Sequence, residues 1–105
     1  FNGERIMIYE PDNWVIVAIE QDDGTTFHKV LGGWSGGYLD ADNWRMNSGI
    51  DRVVTDEDHY EIHGYSGSVY RCRKDNEVVR ANMADTLARL IDTGRVKQVS
   101  IEDIL

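Results

Sequence analysis

One segment of this chain repeats its apolar residues at helical spacing, and nearly everything before it is cut by turn residues into strand-length pieces. Met83, Leu87, Leu90 and Ile91 recur at i, i+4, i+7 and i+8, with Asp85, Arg89 and Asp92 elsewhere on the wheel. Asn82 suits the N-cap and Gly94 the C′ position. A helix with one apolar stripe must bury that stripe on a sheet or on a partner. Packing on the chain's own sheet is the simpler arrangement.

The pieces ahead of the helix read as strands. Glu4 to Tyr9 alternates Ile6 and Ile8 with Arg5, Met7 and Tyr9, the pattern of a half-buried strand. Pro11-Asp12-Asn13 turns the chain, and the apolar run Trp14–Ile19 predicts a central strand buried on both faces. Asp22-Asp23-Gly24 predicts a hairpin into Thr25–Leu31. Further strands are expected at Trp44–Met46, Ile50–Val54, Tyr60–His63 and Ser68–Arg73, with turns at Asn47-Ser48-Gly49 and Thr55–Asp58. Val96–Val99 closes the set, and Ser100 to Asp103 caps a last helical turn. The expected fold is α+β in a single domain over residues 1–105. It is a mostly antiparallel β-meander of six to eight short strands, partly barrel-like, with one C-terminal amphipathic helix packed on it.

Charge narrows the function. The chain carries 19 acidic against 11 basic residues, a net charge of −8. Such a field repels phosphate backbones, so direct nucleic-acid binding is disfavoured and a basic protein surface is favoured. No apolar run approaches the roughly 18 residues of a membrane-spanning helix. The single cysteine, Cys72, excludes an internal disulfide framework and points to a cytoplasmic setting. Phe1 suggests a trimmed start.

A short block occurs twice. Gly33-Trp34-Ser35-Gly36-Gly37 returns as Gly64-Tyr65-Ser66-Gly67-Ser68, 31 positions later. The first copy spells the G-x-S-x-G of a hydrolase nucleophile, and His59 or His63 lies downstream to serve as base. No helix follows Ser35, however, and the second copy loses the last glycine. The block therefore reads as two related tight turns, with glycine supplying positive φ at Gly36 and Gly37 and an aromatic beside each. Trp34 and Tyr65 are the pair expected to be exposed.

His59 and His63 would share a strand face about 13 Å apart, too far for one tetrahedral metal. Asp40-Ala41-Asp42-Asn43-Trp44 departs from calcium-loop spacing. No catalytic, metal or cofactor residue is assigned.

The stretches Val30–Leu39 and His63–Tyr70 resemble short uncharacterised proteins of tailed bacteriophages, over about residues 30–72. That resemblance brings no activity with it, but implies a small accessory protein in the cytoplasm of a bacterial host. The expected function is a non-enzymatic protein-binding module that inhibits or redirects a basic, nucleic-acid-handling host protein. Its binding residues would be Trp34, Tyr38, Asp40, Asp42, Asp56, Glu57, Asp58 and Tyr65. The competing readings are a homo-oligomeric structural protein that pairs strand edges, and a serine hydrolase using Ser35.

Overall fold

The computed structural model describes residues 6–35 and 43–105. Eight strands and one α-helix follow in order: β1 (Ile8–Tyr9), β2 (Asn13–Glu20), β3 (Thr26–Gly33), β4 (Trp44–Met46), β5 (Ile50–Thr55), β6 (His59–Gly64), β7 (Val69–Arg73), α1 (Ala81–Asp92) and β8 (Val96–Val99). They form two four-stranded sheets, ordered β1-β7-β6-β5 and β4-β3-β2-β8. Each sheet is an antiparallel three-strand meander, β5-β6-β7 or β2-β3-β4, extended by one distant strand. β8 joins β2 antiparallel, whereas β1 joins β7 in parallel. The sheets do not close on each other, so the barrel-like element of the expectation is not met. A single winding sheet was read where the chain builds two.

β2 explains the layering. Its side chains alternate between faces. Trp14 and Ile16 join Val30, Tyr60, Ile62, Tyr70, Cys72 and Ile101 in a core between the sheets. Val15 and Val17 face the other way and meet Leu31, Met83 and Leu87 beneath α1. The result is three layers, sheet, sheet and helix, with β2 buried on both faces as its apolar run predicts.

Local signals set the ends of several elements. Gly24 takes φ +86° in the β2–β3 hairpin, where Gln21 N donates to Thr25 O at 2.8 Å. Gly94 takes φ +81° one residue past the C-cap Thr93 of α1. Ser100 and Asp103 form the expected capping box on a short 3-10 turn at Ile101–Asp103.

Two local expectations are corrected. The N-cap of α1 is Arg80, which makes no side-chain cap bond, and not Asn82. The Asn82 amide turns inward instead: its Nδ2 donates to Asn13 Oδ1 at 2.8 Å, and Asn13 Nδ2 donates back to Asn82 Oδ1 at 3.2 Å. In β1 the phase is the reverse of the predicted one, because Tyr9 packs inward while Ile6 and Ile8 face out. Of the first glycine block, Gly33 ends β3 and Trp34 N donates to Asn43 O at 2.8 Å. Gly36 and Gly37 fall outside the described residues. The second copy is the tight turn expected, with Gly67 at φ +95°. In both meanders the block ends the middle strand.

Candidate functional site

The two sheets leave a cleft of about 510 Å³ where the β1 edge of one faces the β4 edge of the other. Ile6, Met7 and Tyr9 form one wall, Arg45 and Met46 the other, and Asn47, Ser48 and the β6–β7 turn close the end. The walls are tied together at that end. Ser66 N donates to Ser48 Oγ at 3.0 Å and Tyr65 N donates to Gly49 O at 3.0 Å, while Val69 N holds the β1 wall to β7 by donating to Met7 O at 2.9 Å.

Aromatic packing sets the cleft's depth. The Tyr9 ring tilts on Tyr70 with centroids 5.0 Å apart, and Trp34 meets Tyr9 edge-on at 6.4 Å. The Arg45 guanidinium lies over the Tyr9 ring, 4.6 Å from its centroid. Burial pushes the Tyr70 phenol up to about 12, and the nearby Arg45 charge partly opposes that rise.

Asn47 is buried beneath the serines. It imitates a further residue of β4: its N–H donates to Val30 O at 3.2 Å, and its Oδ1 accepts from Val30 N at 3.0 Å. Its Nδ2 has no hydrogen-bond partner among the described residues. Nδ2 and Ser68 Oγ each stand 3.3 Å from the point where a Cβ on Gly64 would sit, and Ser66 Oγ is 3.4 Å from Ser68 Oγ.

The residues singled out from sequence divide into separate groups. Tyr65 projects beside the cleft at 67% exposure, with its ring against Gly49. Trp34 is half-buried and packs on the core, against the expectation that it is exposed, because Tyr9 covers it. Tyr38, Asp40 and Asp42 lie outside the described residues. Asp56, Glu57 and Asp58 sit at the opposite end of β6 from Tyr65, with the roughly 17 Å length of that strand between them. The acidic turn and the exposed tyrosine therefore do not form one compact patch.

Asp56 is engaged within its own turn. Its Oδ1 accepts from His59 N at 2.7 Å and Asp58 N at 2.9 Å, and its Oδ2 lies 3.6 Å from Arg71 Nη2. The His59 N–H bond, then the Asp58 one, hold its carboxyl below the ordinary 3.8. A lowered folded-state value stabilises the native state above the ordinary carboxylate range, and that contribution is lost as pH falls through the lowered value. Asp56→Asn keeps an acceptor and removes the charge. Its melting temperature should lie below wild type at pH 6, and the gap should close in acid, below the ordinary 3.8. A gap that persists unchanged in acid would assign the effect to shape rather than charge.

Among the described residues, neither Ser35 nor Cys72 is hydrogen-bonded to a histidine. Ser35 N donates to Asp12 Oδ2 at 2.7 Å, and the Ser35 hydroxyl accepts from Asn82 Nδ2 at 3.5 Å, with no imidazole among its hydrogen-bond partners. His59 and His63 share the outer face of β6, paired toward Asp56 and Glu61. Cys72 is buried, and burial pushes its thiol well up, away from the thiolate form. Among the described residues, no three histidine, cysteine or carboxylate side chains gather as a metal site would require. No described helix is long and apolar enough to cross a membrane.

Sequence reading missed Arg45, Asn47, Ser48, Ser66 and Ser68 as a group. A usable signal existed: residues 43–50 and 62–74 contain no Asp or Glu in a chain with 19 of them. Those two acid-free stretches supply the β4 wall and the far end of the cleft. Comparison with protein-family models, with curated proteins and with solved structures gives no match to this chain.

Proposed function

We propose that this chain is a non-catalytic module that binds an extended segment of another protein along β1. The observation that carries the reading is the apolar edge of that strand. Ile6, Met7 and Ile8 are 66%, 54% and 59% exposed, on a strand whose only ladder partner among the described residues is β7. An edge with free backbone donors and acceptors and large apolar side chains is a template for strand addition. The net charge of −8 favours a partner whose segment is flanked by basic residues. The resemblance of residues 30–72 to phage proteins directs the search for that partner to bacterial proteins that handle nucleic acids.

The test begins with a partner captured from bacterial lysate and then purified. Ile8→Lys places a charge on the exposed edge without touching the core, so the melting temperature should hold while affinity falls at least about tenfold. Wild-type affinity in that variant would overturn the edge reading. Association should slow with added salt and in Glu57→Lys/Asp58→Lys, and indifference to both would remove the electrostatic part.

The same edge supports a second reading, pairing between two copies of this chain. Light scattering across concentration separates the two, since self-pairing predicts a dimer that Ile8→Lys dissolves.

A further inference from the structure

We propose that the cleft between β1 and β4 binds a carboxylate group carried on a short apolar body. The first ground is the sign of its lining. None of the 11 described residues lining the cleft is acidic, in a chain with 19 acidic residues, and one of them is Arg45. Local donors decide what a site takes even when the whole molecule repels it, because field strength falls steeply with distance in salt water.

The second ground is the donor set. Arg45 brings a guanidinium held over Tyr9, and Ser48, Ser66 and Ser68 bring hydroxyls that rotate to donate. Beneath them, the Asn47 amide nitrogen has no acceptor among the described residues, so its N–H dipole adds positive potential to the floor. Ser48 Oγ already accepts from Ser66 N, which leaves its own proton free to donate outward. The set therefore calls for an acceptor.

A carboxylate suits the set better than a phosphate. One guanidinium matches one negative charge, and its planar fork pairs with two carboxylate oxygens. A phosphate would bring close to two charges against a single cation inside a strongly acidic protein. The remaining lining is Ile6, Met7 and Met46 with the two tyrosine rings, which accommodates an apolar body behind the charged head. The volume of about 510 Å³ lies within the range of small-ligand sites. Both a free organic acid and the terminal carboxylate of a peptide present this chemistry.

The two readings share Ile6 and Met7, but Ile8 lies outside the cleft lining and Arg45 outside the β1 edge, so Ile8→Lys and Arg45→Gln let each fail alone. The test needs only the isolated chain. The side-chain amide signals of Asn47 in a ¹H–¹⁵N spectrum report directly on the floor while 4-methylpentanoate is added. A saturable shift is expected, at least about tenfold weaker with the neutral 4-methylpentanamide and in Arg45→Gln. Ser66→Ala, a change at an exposed turn, should weaken binding less and keep the fold, which the melting temperature checks.

Equal response to acid and amide would overturn the proposal, as would no saturation, or tighter binding of inorganic phosphate. N-acetyl-glycyl-leucine and its C-terminal amide separate the sources. A free-acid dipeptide that outbinds 4-methylpentanoate and loses affinity on amidation assigns the site to chain termini. The reverse order assigns it to small acids, and both orders uphold the carboxylate.

Discussion

Trp14→Ala should lower stability by about 3–5 kcal/mol, read from chemical denaturation at constant denaturant slope. Trp14 is fully buried between the two sheets, edge-on to Tyr60 with ring centroids 5.8 Å apart. Its indole Nε1 donates to Arg73 O at 2.7 Å, which ties the end of β7 to the first residues of β2. Alanine leaves a cavity lined by side chains from both sheets, and it strips a carbonyl of its donor. A domain of this size commands about 5–15 kcal/mol in total, so the variant sits near the edge of folding. A loss below about 1 kcal/mol would mean that the sheets can collapse onto the gap, contrary to the packing described.

The second large effect is expected from Gly33→Ala. A Cβ there would stand 2.7 Å from Asn82 Cγ and 2.8 Å from its Nδ2, so the Asn82 amide must leave. Its departure breaks the reciprocal pair with Asn13, a side chain with no exposure whose Nδ2 also donates to Val78 O at 3.3 Å. Crowding and the stranded amide together should cost about 2–3 kcal/mol. Asn82→Ala alone removes the same pair and should cost about 1–3 kcal/mol. The double variant should then be no worse than Asn82→Ala by itself, to within about 0.5 kcal/mol. Simple additivity of the two losses would show that Gly33 is required for some reason other than the approach of Asn82.

How much was legible in the sequence follows from the range of each interaction. The run Trp14–Ile19, the Asp22-Asp23-Gly24 hairpin, the Gly94 terminus of α1 and the Ser100–Asp103 cap depend on neighbours a few residues away, and all four are present. Asn82 misled because an asparagine before an apolar stripe looks like a cap. Its real partner, Asn13, is 69 residues away and leaves no local mark. The phase of β1 failed for a related reason. The segment Ile6-Met7-Ile8-Tyr9 is apolar at every position and does not reveal which set faces in, and packing against Tyr70 and Trp34 decides for Tyr9.

The candidate site was less legible than the fold. Arg45 and Asn47 come from one sheet edge, while Ser66 and Ser68 come from a turn in the other sheet. None of these residue types carries a motif, and only the topology brings them together. Asp56 looked like a surface recognition charge, yet its carboxylate is occupied by its own hairpin. The repeated glycine block kept a meaning that its catalytic spelling obscures: each copy terminates the middle strand of a meander.

The two-sided burial of β2 has a consequence for how the molecule comes apart. The inter-sheet core and the core under α1 share that one strand, Trp14 and Ile16 serving the first and Val15 and Val17 the second. Loss of β2 would open both cores at once, so its amides are expected to be among the slowest in the molecule to exchange with solvent.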